Sequence, residues 1–273
     1  MLSFNAKKQL MEFLSEDIGK GDITSALLPK RNISARIISR EQAIVAGVKY
    51  AKEIFRLKGC SVRVVKKDGS KIKPNQIIMT ISGNAGKILT CERTALNLLT
   101  RMSGIATQTD EMVKKISNKK TKLYATRKTA PGLRYFDKEA VEIGGGKKHR
   151  LKLDEMVMIK DNHIAVSDSL LSLIKSAKRR YKKFEVEVEN TSDAVLAAKE
   201  GATIIMLDNF SPDQIKKTIQ ILKNQKLRDK VMLEASGGIN SKNIAKYGNT
   251  GVDIISVGSI TNSVKGIDMS LEI

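Results

Sequence analysis

The apolar positions change their rhythm along this chain. Up to about residue 105 the signals are short and mixed. Residues 10–14 predict a short helix, and 33–40, 43–47, 62–65 and 77–81 predict strands, punctuated by Lys58-Gly59, Asp68-Gly69-Ser70 and Pro74-Asn75. Leu89, Ala95, Leu96 and Leu99 then recur at helical spacing and predict a helix over 89–102. This is the pattern of an antiparallel α+β unit closed by a helix. From about Thr121 the rhythm becomes strand and helix in alternation. Strands are predicted at 123–125, 156–159, 184–188, 203–207, 231–235 and 254–257, with helices at 136–143, 168–181, 193–200, 212–224 and 241–247. Ser192, Ser211 (before Pro212) and Asn240 or Ser241 read as helix caps. Repeated β-α units imply a parallel sheet with right-handed crossovers. Six strands in this length suit a barrel or near-barrel, with a doubly wound open sheet as the competing architecture.

Each of these six strands runs into polar residues at its C-terminal end. They are Thr126-Arg127-Lys128, Lys160-Asp161-Asn162-His163, Glu189-Asn190, Asp208-Asn209, Ser236-Gly237-Gly238 and Gly258-Ser259. In parallel β/α folds that edge is where loops converge and ligands bind. The third strand, Glu185-Val186-Glu187-Val188-Glu189, alternates with period two, so its three glutamates share one face. With the valines toward the helices, the glutamates face the barrel mouth, where buried carboxylates need cations or a metal. Arg127, Lys128 and Lys160 are the expected cations, and Mg2+ the natural hard ion near Glu187 and Asp208, through water or a substrate phosphate.

Ser236-Gly237-Gly238 follows a strand and precedes a predicted helix, so its amides can cradle an anion, and Gly258-Ser259 repeats the arrangement one strand later. Gly144-Gly145-Gly146-Lys147 lacks the Gly-Lys-Ser/Thr ending of a nucleotide P-loop and reads instead as a loop lying close to ligand or backbone. The chain's two histidines, His149 and His163, sit beside Arg150 and near Lys160 and read as part of an anion-binding wall. No Ser-His-Asp set or activated cysteine is evident. Cations at Arg127, Lys128, His149, Arg150 and Lys160, two carboxylates and two phosphate cups suit a polyanionic acceptor beside a phosphorylated donor, hence group transfer rather than hydrolysis.

Composition bounds the rest. The chain has 273 residues, 41% of them apolar, and its longest apolar runs fall short of a membrane span. Met1-Leu2-Ser3-Phe4 and the residues that follow lack a signal-peptide layout, and the two cysteines, Cys60 and Cys91, fit a reducing cytoplasm. A net charge of +20 raises a nucleic-acid reading. The lysines, however, are scattered singly and in pairs, with no basic arm or stacking motif.

Thr126-Arg127-Lys128-Thr129-Ala130-Pro131-Gly132-Leu133-Arg134, Gly144-Gly145-Gly146 with His149-Arg150, and Ile159-Lys160-Asp161-Asn162-His163 closely resemble the quinolinate phosphoribosyltransferase family. The likeness continues through residues 185–190, Met206-Leu207-Asp208-Asn209-Phe210 and Glu234-Ala235-Ser236-Gly237-Gly238-Ile239. Asp17-Ile18-Gly19-Lys20-Gly21-Asp22-Ile23-Thr24 and Glu92-Arg93-Thr94 extend it to the N-terminal region. It implies an α/β fold with an N-terminal α/β sandwich, residues 1–105, and an incomplete parallel β/α barrel, residues 106–273, with the C-terminal tail able to pack back on the sandwich. It also implies a homodimer or larger assembly whose site is shared between subunits. Quinolinate would react with phosphoribosyl pyrophosphate and Mg2+ to give nicotinate mononucleotide, pyrophosphate and CO2, in NAD biosynthesis in the cytoplasm.

By the same resemblance Arg127, Lys128, His149, Arg150 and Lys160 would grip the dicarboxylate, and Arg93 would arrive from the other subunit. Glu187, chosen for its spacing to Asp208, would serve the ribose and metal end with it, and Ser236, Gly237, Gly238, Gly258 and Ser259 the 5′-phosphate. Lys128, Lys160, Glu187 and Asp208 would be the catalytic residues. One departure is Asn262, where the family usually carries His. The rivals are a paralogue of the molybdate-transport-associated type, which the intact Lys160-Asp161-Asn162-His163 disfavours, a nicotinate phosphoribosyltransferase, and, from another class, a basic nucleic-acid-binding protein.

Overall fold

The computed structural model describes residues 2–273, which divide into two compact units. The first holds residues up to Asp110 together with Pro131–Gly145 and Ser263–Ile273; the second holds Glu111–Ala130 and Gly146–Asn262.

In the first unit, α1 (Phe4–Ile18) starts at Ser3, whose hydroxyl accepts the Ala6 N–H, and buries Ala6, Leu10 and Leu14 along one stripe. β1 (Asn32–Ser39), β2 (Ala43–Ile44), α2 (Val48–Leu57), β3 (Ser61–Val64), β4 (Lys71–Ile72) and β5 (Ile77–Asn84) follow. An antiparallel sheet runs C-terminal strand (Met269–Glu272), β1, β5, β3, and Glu272 pairs with Arg36 and Arg40 at 3.0 and 2.8 Å. Its core is apolar: Ile37, Ile78, Met79 and Ile81 are fully buried with Ile54 and Phe55 of α2.

The next helix, α3 (Ala85–Lys115), is far longer than the 89–102 expected from sequence. Ser103-Gly104 does not end it. A Cβ at Gly104 would lie 2.1 Å from the Lys265 carbonyl oxygen, so glycine serves a close chain crossing there. A second difference concerns α4 (Arg134–Ile143), read from sequence as a barrel crossover, which belongs to the first unit. Asp137 accepts two hydrogen bonds from Arg101 at 2.8 Å each, and Phe136 packs its ring edge-on to Tyr50.

The second unit is a parallel β/α array. β6 (Lys122–Tyr124), β7 (Val157–Ile159), β8 (Phe184–Val188), β9 (Ile204–Asp208), β10 (Met232–Ser236) and β11 (Ile254–Ser256) form one sheet in the order β6-β11-β10-β9-β8-β7. Helices α5 (Asp161–Ala165), α6 (Leu170–Arg180), α7 (Thr191–Glu200), α8 (Pro212–Asn224), α9 (Ile244–Gly248) and α10 (Ser259–Asn262) lie between and after these strands. β6 and β7 are the two ends of the order, so the barrel is incomplete. Lys147 extends the β6 edge: its N–H donates to the Leu123 carbonyl at 2.8 Å, and its carbonyl accepts the Ala125 N–H at 2.9 Å. The glycine triplet before it meets backbone, as expected. A Cβ at Gly144 would lie 2.4 Å from the Ala106 carbonyl oxygen.

Two caps differ from the sequence reading. Asn190, not Ser192, caps α7, its side-chain oxygen accepting the Asp193 N–H at 2.9 Å. The last β/α unit's helix starts three residues late, at Ile244, and has only five residues.

Candidate active site

Five of the six strand ends converge on one cavity of about 530 Å³, the size of a small-ligand site. Thr126, Arg127 and Lys128 line it after β6, Lys160 after β7, Asp208 after β9, Ser236, Gly237 and Gly238 after β10, and Gly258, Ser259 and Asn262 after β11. His149 and Arg150 line it from the segment beside β6, and Glu187 from β8. Glu189 and Asn190 are exposed outside it, because Asn190 is spent on the α7 cap. Arg93, the remaining site candidate, is exposed on α3 in the first unit.

Local geometry holds each group. The Lys128 N–H donates to Thr126 Oγ1 at 3.1 Å, and Thr261 Oγ1 donates to the Lys128 carbonyl at 2.8 Å, tying the β6 loop to the β11 loop. Gly258 leaves room for the Lys128 stem, since a Cβ there would stand 3.0 Å from Lys128 Cδ. Lys160 sits at the start of α5, with its N–H donated to His163 Nδ1 at 2.9 Å. His163 is therefore a helix-start partner outside the cavity, not part of an anion-binding wall. The Lys160 ammonium is ion-paired with Glu187.

The phosphate-cup prediction is altered in its cause. α9 and α10 are too short and too late to lend a substantial helix dipole. What shapes the first cup is backbone: Gly237 and Gly238 have φ of 88° and 62°, and a Cβ at Gly237 would lie 2.2 Å from Asn209 Oδ1. Asn209 itself has φ of 57°, and its side-chain amide donates to Asp208 Oδ2 at 2.7 Å, which orients that carboxylate.

The charges are arranged in depth along β8. Glu189 is exposed, Glu187 is mostly covered and paired with Lys160, and Glu185 is fully buried. The expected partners of the glutamate face were Arg127, Lys128 and Lys160. At Glu185 the partner is instead His149, whose Nε2 stands 3.3 Å from Glu185 Oε2 and 3.5 Å from Glu234 Oε2. Burial and the charge of Glu234 push the Glu185 carboxyl above its usual range. Burial opposes charge on His149, but the two carboxylates outweigh it and raise its pKa. Sequence reasoning missed Glu234, which lines the cavity from β10, and placed Glu185 on the glutamate face without giving it a role. The signal was present in Glu185 and Glu187 sharing one face, and in a lone Glu on otherwise apolar β10.

On the cationic side, burial and the neighbouring Arg127 charge hold the Arg150 guanidinium below its usual range. Arg150 donates to the Met156 carbonyl at 2.8 Å. Arg127 Nε, Ser256 Oγ and Ser259 Oγ, all along the cavity, are buried with no hydrogen-bond partner in the protein. Glu187 and Asp208 occupy one face of adjacent strands, since Glu187 pairs in register with Met206, two residues before Asp208. This is a hard-oxygen donor set suited to a divalent cation such as Mg2+.

Known proteins share this architecture and sequence. The N-terminal and C-terminal domains of quinolinate phosphoribosyl transferase match residues 22–103 and 105–272. A probable nicotinate-nucleotide pyrophosphorylase [carboxylating] of Methanothermobacter thermautotrophicus is 45% identical over 271 residues, 97% of each chain. One from Bacillus subtilis is 38% identical over 98% of this chain and 93% of its own. The solved nicotinate-nucleotide pyrophosphorylase of Francisella tularensis superposes with a TM-score of 0.91 at 39% identity, covering 100% of this chain and 97% of that one. The human nicotinic acid phosphoribosyltransferase, at 13% identity and a TM-score of 0.64, shares the fold alone. With matches running through both units and the motifs at the strand ends in order, this chain belongs to the quinolinate phosphoribosyl transferase family.

Proposed function

We propose that this chain is a pentosyltransferase that moves the phosphoribosyl group of phosphoribosyl pyrophosphate onto quinolinate. The products are nicotinate mononucleotide, pyrophosphate and CO2, in the de novo route to NAD. The observation that carries the reading is the set of charges gathered in one cavity. Arg127 and Arg150 lie close enough for their charges to interact, and Lys128, Lys160, Glu187, Asp208 and the two glycine cups line the same space. Two like charges held close are costly unless an anion is shared between them, and a pyridine dicarboxylate supplies two carboxylates. The partnerless donors of Arg127, Ser256 and Ser259 are groups that such anions can satisfy.

In the reaction the ring nitrogen forms its bond to C1′ as the C1′–oxygen bond to pyrophosphate breaks. The oxocarbenium-like centre that develops is stabilised by the carboxylates of Glu187 and Asp208. Loss of CO2 leaves an electron pair on the carbon beside the positively charged ring nitrogen, and that carbon takes up a proton. Lys128 and Lys160 keep this part of the pocket cationic and hold the departing carboxylate in place. Bound Mg2+ supplies charge neutralisation for pyrophosphate, and Glu187 and Asp208 are the residues that would hold it, directly or through water or substrate. The Ser236-Gly237-Gly238 and Gly258-Ser259 segments take the 5′-phosphate. Arg93 serves the site of the neighbouring subunit in a homodimer. The cytoplasm is the setting this reading carries. Among the described residues no helix is long and apolar enough to cross a membrane.

Incubation with quinolinate, phosphoribosyl pyrophosphate and Mg2+ should yield nicotinate mononucleotide and CO2. Nicotinate, which lacks the second carboxylate, should turn over poorly. Comparable turnover of the two acceptors would remove the dicarboxylate pocket from Arg127, Arg150 and Lys160.

A further inference from the structure

The parallel sheet of the second unit has two edges, and only one of them forms the cavity. Every strand starts at the opposite edge, and β8 and β9 are five residues each, so roughly 15 Å of strand separates the two. Along the chain the cations fall as scattered singles and pairs, but the topology gathers the segments that lead into the strands at this far edge. The corner between α6 and β8 is the densest: Lys178-Arg179-Arg180-Tyr181-Lys182-Lys183. Lys226 and Lys230 before β10, and Lys119 and Lys120 before β6, are exposed on the same edge.

Helix chemistry accounts for part of this run. Cations in the last turn of α6 complement its dipole, and the Lys178 ammonium stands at Gly201, where α7 ends: a Cβ there would lie 3.5 Å from Lys178 Nζ. The helix stops at Arg180, so its dipole does not call for Lys182 and Lys183. Arg179, Arg180, Lys182 and Lys183 are all exposed, and among the described residues no carboxylate lies within ion-pair distance of any of them. The acids of this edge are few. Asp253 is paired with Arg228, Glu200 is half-buried at the end of α7, and Asp154, Glu155 and Asp229 are exposed before β7 and β10. Cations held side by side without counter-charge repel one another, and a polyanion relieves that repulsion.

Two further features select the kind of polyanion. Tyr181, in the middle of the run, is 53% exposed. Beside it lies an apolar slot of about 240 Å³, lined by Val157, Ile159 and Leu173, with Arg180 and Tyr181 among its walls. The slot is smaller than a drug-sized site and suits one unstacked base, which a base-paired duplex does not offer. Cations spaced along a segment with an aromatic face between them are the elements of single-strand binding, in which phosphates meet the charges and bases stack. An anionic membrane fits less well. Tyr181 is the one large apolar side chain exposed in the run, and α6 turns its apolar residues inward. We propose that the α6–β8 corner is a binding surface for single-stranded nucleic acid, with phosphates on Arg179, Arg180, Lys182 and Lys183 and a base stacked on Tyr181.

The test is fluorescence anisotropy of the full chain with a labelled single-stranded oligothymidylate in rising KCl. None of these cations lines the catalytic cavity, so binding is read without turnover and apart from the transfer reaction. Phosphate contacts at four cations give a log–log salt slope of about −3, so affinity should fall roughly 50-fold between 50 and 200 mM salt. Arg179→Ala, Arg180→Ala, Lys182→Ala and Lys183→Ala combined should weaken binding at least about tenfold and flatten that slope. Tyr181→Ala should weaken it about tenfold with the slope unchanged. A control with Lys20→Ala, Lys30→Ala, Lys71→Ala and Lys87→Ala, all exposed in the first unit, loses the same net charge and should bind as wild type. Circular dichroism of each variant checks that it is folded. Absence of binding at about 50 mM KCl, an equal loss in the control, wild-type affinity in Tyr181→Ala, or tighter binding to phosphatidylserine vesicles than to the oligonucleotide would overturn the proposal.

Discussion

The two units of this chain place buried charge differently. In the antiparallel unit the sheet carries an apolar core, and the fully buried Asp137 sits on helix α4, where it accepts two hydrogen bonds from Arg101. In the parallel unit carboxylates enter the strands themselves: Glu185 and Glu234 lie fully buried on β8 and β10, and Glu187 lies one step nearer the mouth. Both faces of a parallel sheet are ordinarily apolar, so charge on its inner face opposes stability and must be repaid by other contacts. The lesson is that the first unit confines buried charge to a helix, whereas the second places carboxylates on the strands that lead to its cavity.

That contrast predicts which property each substitution moves. Lys160→Ala should have the largest effect, lowering kcat on the order of 10³-fold by removing a preorganised charge, with the folded state retained by circular dichroism. Arg93→Ala should be similarly inactive, and an exchanged mixture of the two variants should recover roughly a quarter of wild-type activity if sites are shared across a dimer. Full activity of Arg93→Ala alone would take Arg93 out of the site.

Ile81→Ala in the antiparallel unit should do the reverse. It should lower stability by about 3 kcal/mol in denaturant melts, through lost burial and a cavity, while KM for both substrates stays at the wild-type value. A changed KM with an unchanged melt would break the division of labour between the units.

Asn262→His should be milder. Asn262 lines the cavity beside Gly258 and Ser259, and a charged donor there should tighten phosphoribosyl pyrophosphate by about 1 kcal/mol, with quinolinate affinity unmoved. An unchanged donor affinity, measured by titration calorimetry, would take this loop away from the phosphate.

The smallest expected change is at the thiols. Burial pushes Cys91 up to about 12, helped by Cys60 and opposed by Lys58, and burial also raises Cys60. Both side chains are buried and reduced. Alkylation at pH 8 should leave the native protein unlabelled and modify two cysteines after unfolding. Fast labelling of the native chain would show that the antiparallel core is looser than its packing indicates.

Much of this was legible in one dimension. The switch from short mixed elements to alternating strands and helices reflects side-chain periodicity, which is local. The polar residues at strand ends likewise located the cavity, because in a parallel array the chain must deliver every strand's C-terminus to the same edge. Cation identities at Arg127, Lys128, Arg150 and Lys160 followed from the same rule together with family resemblance. The length of α3 was not legible, since the apolar spacing read from sequence covers only 89–102 while the helix runs from Ala85 to Lys115. Neither was the grouping of α4 with the first unit, which depends on Arg101, 36 residues from Asp137 along the chain. The cups at Ser236 and Gly258 were visible as glycine positions, but their shape comes from the approach of Asn209 and Lys128, not from helix ends.

The amino-acid sequence by itself determined the parallel unit, the family and the residue types at the cavity, because periodicity, turn chemistry and motif order are properties of neighbours along the chain. Only the tertiary structure decided which charge meets which. Glu185, His149 and Glu234 come from three separate segments, and the fold brings His149 Nε2 to 3.3 and 3.5 Å from the two buried carboxylates. Pairing of this kind depends on distances of a few ångströms across strands, and no spacing along the chain encodes it.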